Sequence, residues 1–121
     1  MAVKLILLVA ALLPYIAAVS AKAGGKSFQN NTPRAWLADQ EGWRARANAA
    51  QANCFESLPF FYAAFLYAFF NQADSSLLIS LGFLWLVLRL VYILFYIKDL
   101  ASLRSAIWAV ALLVNVSFLF I

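Results

Sequence analysis

The stretch that decides the reading is RARANAAQANCFESLPFF, Arg44–Phe61. It opens on two arginines, passes through Asn48, Gln51, Asn53 and Glu56, and then turns wholly apolar around Pro59. On a helix advancing about 100° per residue, Arg46 and Asn53 lie about 20° apart and Glu56 about 60° further round. Three polar side chains therefore share one face where an oily helix begins. A charge at the centre of a membrane helix costs about 2.5–3.5 kcal/mol on insertion scales. Nearer the interface the cost falls, but pairing or contact with water is still favoured. Two readings follow: a polar clamp between helices, or one wall of a ligand pocket facing the bundle interior.

The rest of the chain says what that oily environment is. Of 121 residues, 66% are hydrophobic and 12% charged. Soluble domains carry roughly twice as large a charged fraction. Mean hydropathy is +0.87, and the apolar residues come in long blocks, which marks an all-α integral membrane protein of one domain, residues 1–121. A span needs about 20 mostly apolar residues. Four segments qualify, at about 3–23, 55–70, 77–97 and 103–121, and the second has a helical lead-in from about Trp36. Asp74-Ser75-Ser76 supplies N-cap residues for the third. The short turn before it makes the second and third segments antiparallel neighbours in a four-helix bundle.

Lys4, an apolar run and the small residues of AVSAKA give the first segment the look of a secretory signal. The charge distribution favours a retained span. Lys22, Lys26, Arg34, Arg44 and Arg46 sit in or beside the first loop, and Lys98 and Arg104 flank the third. The second loop has Asp74 and no Lys or Arg, and the termini add only Lys4. By the positive-inside rule, loops one and three are cytoplasmic and both termini lie outside.

Composition also excludes chemistries. With no histidine and one cysteine, Cys54, the chain has no Ser-His-Asp or Cys-His triad, no intramolecular disulfide and no cysteine-cluster metal site. Cys54 reads as a core or lipid-facing residue. The net charge of +4 comes without a basic stretch interleaved with exposed aromatics, so nucleic acid is not the expected partner. One intramembrane carboxylate and no broken-helix pattern argue against a solute carrier.

A second polar stripe lies on the third segment. Arg89, Tyr92 and Tyr96 stand at i, i+3 and i+7 and share a side. Arg89, well inside the apolar run, must snorkel, pair with Glu56 or another acid, or hold an anion. Arg104-Ser105 opens the fourth segment at the depth of Tyr96 and Asn53. Several arginines, two tyrosine hydroxyls, an amide and a carboxylate suit a zwitterionic ligand rich in carboxylates, since arginine forks match carboxylates bidentately.

These residues carry a resemblance. RARANAAQANCFESLPFF, through Arg46, Ala50-Gln51, Asn53, Glu56 and Pro59, resembles the signature of the MAPEG family, the membrane-associated proteins of eicosanoid and glutathione metabolism. YILFYIKDLASLRSAIW is similar to that family's helix-three tyrosines and the Arg-Ser start of its last helix, and NNTPRAWLADQEGWRARA to the first loop of small bacterial members. The resemblance implies a homotrimer in a bacterial inner membrane, with glutathione bound between neighbouring subunits near the cytoplasmic face. Arg46, Gln51, Asn53, Glu56, Tyr92, Tyr96 and Arg104 match glutathione-contacting positions, and Arg104 or Ser105 falls where the thiolate is stabilised. Arg89 joins them through the stripe it shares with the tyrosines. The implied activity is a glutathione-dependent transferase or peroxidase acting on lipophilic electrophiles or hydroperoxides that arrive from the bilayer, with no metal. Ala49 and Ser57 replace an arginine and a tyrosine of eicosanoid-synthase relatives, which argues against that specificity. Because the family includes non-catalytic members, the alternative is a membrane scaffold or lipid-binding protein of the same fold.

Overall fold

A computed structural model describes residues 1–121 as five helices and no strands. They are α1 (Ala2–Lys22), α2 (Pro33–Ala38), α3 (Gly42–Phe70), α4 (Ser75–Ile97) and α5 (Ala101–Ser117). By length and composition, α1 and α4 are the two helices able to cross a membrane. The apolar half of α3 follows a polar half, and α5 is an apolar helix of 17 residues.

The lead-in to the second segment differs from the sequence pattern. Trp36 belongs to the separate helix α2, and the chain breaks between Asp39 and Glu41 before α3 begins. The cause lies in the backbone at Gly42, whose φ is +62°. An added Cβ there would meet nothing within 4 Å, so glycine is needed for conformation and not for space. Pro33 at the start of α2 suits a first turn, where its missing N–H costs nothing.

The other two helix ends close by hydrogen bonding. At the end of α3, Ala73 N–H donates to Ala68 C=O and Gln72 N–H to Phe69 C=O. At the end of α4, Leu100 N–H donates to Phe95 C=O and Asp99 N–H to Tyr96 C=O. Both are Schellman closures, with Gln72 and Asp99 in the left-handed region at φ 60°. Asp74 Oδ1 then accepts from Leu77 N–H at 2.8 Å and caps α4. These tight reversals set α3 beside α4 and α4 beside α5.

Small residues bring α1 onto α3. Ala10, Ala17 and Ala21 on α1 and Ala47, Ala50, Ala64 and Ala68 on α3 are all buried, which permits the close backbone approach typical of membrane helix pairs. Tyr62 of α3 donates its hydroxyl to Leu7 C=O of α1 at 2.8 Å. The far half of the bundle is aromatic: Phe61 and Trp85 stack at 3.8 Å and 12°, and Phe118 meets Phe65 edge-on at 5.4 Å. Outward, large apolar side chains of every long helix are exposed, among them Leu8, Phe70, Val87, Trp108 and Leu113. A surface so rich in large apolar side chains suits lipid and not water.

Gly82 marks the tightest crossing. A Cβ there would lie 2.9 Å from both Ile6 of α1 and Phe65 of α3, each fully buried. Gly82→Val should therefore lower stability by about 1–3 kcal/mol through overpacking, read as a lower midpoint in thermal unfolding of the detergent-purified protein.

Candidate functional site

The polar face of α3 meets α4 and α5 at the end of the bundle nearest the α4–α5 turn. Arg46 Nε donates to Ile97 C=O at 3.1 Å, placing a cation at the carbonyl end of α4, where the helix dipole favours it. About two turns along α3, Asn53 reaches the third segment's arginine: Arg89 Nη2 donates to Asn53 Oδ1 at 2.7 Å and to Cys54 Sγ at 3.6 Å. Arg89 is only 1% exposed, so of the outcomes open to it, snorkelling is ruled out. Its hydrogen bonds go to an amide and a thiol and not to Glu56. Its guanidinium also lies over the Tyr92 ring, 4.3 Å from the centroid, a cation–π contact strengthened by burial.

The stripe on α4 continues this arrangement. Tyr92 and Tyr96 meet edge-on at 5.7 Å, and the Arg104 guanidinium sits 4.4 Å from the Tyr96 ring centroid. Two tyrosines thus stand between two arginines on the way from α4 into α5. Asn53, Tyr92, Tyr96, Arg104 and Ser105, together with Trp108, line a cleft of about 230 Å³. A second cleft of about 200 Å³ continues along the same helices away from the turn, and Asn53 and Trp108 line both. Glu56, Arg89, Trp85 and Asn115 face this second cleft.

The nine candidate residues are therefore not all together. Asn53, Tyr92, Tyr96, Arg104 and Ser105 share the first cleft, Glu56 and Arg89 line the second, and Arg46 is held by the α4 carbonyl. Gln51 lies on another side of α3, in a separate cleft with Arg34 and Asn48, and its Oε1 is buried without a partner. Cys54 is 1% exposed and bound to Arg89, a core position.

Among the cleft residues outside the nine candidates are Trp108 and Asn115. Both were within reach of sequence reasoning, because positions 104, 108, 111 and 115 follow i, i+4, i+7 and i+11 and so continue the Arg104 face along α5. Neither carries a motif of its own.

The comparisons complete the description. A family model, that of the MAPEG family, matches residues 1–121, the whole chain. The chain belongs to the MAPEG family. It is accordingly a membrane protein, of a family that includes glutathione-dependent transferases and peroxidases as well as non-catalytic members. No curated protein and no solved structure matches the chain. In this MAPEG protein no group of three His, Cys, Asp or Glu side chains is placed to hold a metal ion.

The Arg89–Asn53 pair makes a direct prediction. Asn53→Leu strips a buried cation of its oxygen acceptor, a loss of about 1.5–3 kcal/mol for a hydrogen bond to a charged group. Combining it with Arg89→Met replaces both partners by apolar groups and should recover part of the loss. Thermal unfolding of the single and double variants in detergent measures the recovery, and a double variant less stable than Asn53→Leu would contradict the coupling.

Proposed function

We propose that this MAPEG protein is a glutathione-dependent transferase or peroxidase of the membrane, in which the cleft at the α4–α5 turn activates the thiol. The observation that carries this reading is the cleft itself: Arg104, Ser105, both tyrosine hydroxyl-bearing side chains and the Asn53 amide converge on one small volume. A guanidinium beside a thiol favours its thiolate, so Arg104 supplies the electrostatic stabilisation and Ser105 a hydroxyl donor. Tyr92, Tyr96 and Asn53 orient the peptide, and Glu56, which lines the adjoining cleft beside Asn53, matches its ammonium group. The bound peptide supplies the nucleophilic sulfur, which makes histidine and a reactive cysteine unnecessary. Trp108 and the exposed apolar surface offer a route for a lipophilic acceptor from the bilayer.

The donor set fits glutathione's two carboxylates only in part within one chain, because Gln51 and Arg34 lie in a different cleft. A trimer would resolve this by bringing Gln51 of a neighbouring copy to the peptide, and the buried, partnerless Gln51 Oε1 supports a partner from outside the chain. On this reading α1, α3, α4 and α5 are the four spans, loops one and three are cytoplasmic, and glutathione enters from that side in a bacterial inner membrane.

Titrating glutathione into the purified protein tests the function. The expected result is an ultraviolet difference signal of thiolate that is saturable and at least tenfold weaker in Arg104→Ala. Absence of any thiolate signal at saturating glutathione would leave the scaffold or lipid-binding alternative. Native mass measurement of the same samples should give three copies of the chain.

A further inference from the structure

The second cleft holds a feature that thiol activation leaves unused. Asn115 of α5 is 4% exposed, and its Oδ1 has no hydrogen-bond partner. Leaving a buried amide unpaired destabilises a fold, and an apolar side chain of similar volume would avoid the cost. Asn115 finds no partner for this atom within its own chain. What it does face is the cleft. Arg89 of α4 lines the same cleft, and its Nε is likewise buried without a partner.

The two orphaned atoms are complementary in kind: an amide oxygen accepts and a guanidinium N–H donates. One group that answers both is a hydroxyl, which donates its hydrogen and accepts through its oxygen. Asn53, Glu56 and Ser57 add polar groups from α3, and the rest of the lining is aromatic and aliphatic, with Trp85, Phe60, Trp108 and Leu112. At about 200 Å³ the cleft is smaller than the ~300–1,000 Å³ of ordinary ligand pockets, which favours a single-ring molecule over a long acyl chain.

We propose that this cleft is the acceptor site, that it takes compact aromatic molecules bearing an O–H group, alcohols or hydroperoxides, and that Asn115 is its specificity-determining residue. The proposal rests on the reading of the neighbouring cleft as the thiol site, with Asn53 and Trp108 as the wall common to both. Hydroperoxides are the reducible members of this ligand class, which inclines the proposed activity toward the peroxidase side.

The test is binding without glutathione. Nitrobenzene quenches tryptophan emission, and Trp85 and Trp108 report on this cleft. Its displacement by 2-phenyl-2-propanol is compared with displacement by tert-butylbenzene, which has the same shape with a methyl in place of the hydroxyl. The readout is the ratio of the two half-displacement concentrations, wild type against Asn115→Leu at one detergent concentration. The ratio should shift by about three- to tenfold against the alcohol, the worth of one neutral hydrogen bond. An unchanged ratio, as when a trapped water satisfies the amide, overturns the proposal. Leu112→Phe, which narrows the cleft from its exposed side, should weaken displacement by both competitors, and an unaltered response there overturns it as well. A shifted ratio without a thiolate signal keeps this site and removes the thiol-activating function. A thiolate signal with an unshifted ratio does the reverse.

Discussion

The arrangement depends on one buried cation. Arg89 stands inside an apolar helix with almost no solvent contact, and a bare guanidinium there is costly. Asn53 of α3 supplies an oxygen at 2.7 Å, and the Tyr92 ring supplies a π face at 4.3 Å. Meeting the needs of this one side chain fixes the register of α3 against α4. It also turns Tyr92 and Tyr96 toward α5, where Arg104 repeats the cation-over-ring contact. The same pairing that steadies the bundle therefore shapes the cleft.

Stability and chemistry are separated along the helices. Away from the α4–α5 turn, stacked aromatics and the close crossing at Gly82 fill the interior. Toward the turn, arginines, tyrosines and amides replace them. Arg46 ends this gradient by neutralising the carbonyl end of α4. A rigid apolar half can thus hold a polar half whose groups are not all mutually satisfied. Gln51, Arg89 and Asn115 keep unpaired polar atoms.

Much of this was legible beforehand. Blocks of apolar residues gave the helical membrane class, Asp74 gave the start of α4, and helical spacing put Arg89, Tyr92 and Tyr96 on one stripe. The break before α3 was not legible, because a glycine within a polar run does not declare its φ until the chain turns there. The partner of Arg89 was not legible either: a carboxylate was a natural candidate, and an amide took the place. Asn115 carried no motif, and only its burial beside the cleft gave it meaning.

The sequence by itself determined which residues are too polar for lipid and which helix faces they occupy, because hydropathy and a 3.6-residue period are local properties. It also determined membership of the MAPEG family, through motifs spread over the whole chain. Only the tertiary structure decided which polar groups meet: Asn53 with Arg89, Arg46 with the end of α4, and Gln51 with neither. Hydrogen bonds act over about 3 Å, and that precision depends on how helices remote in sequence pack against one another.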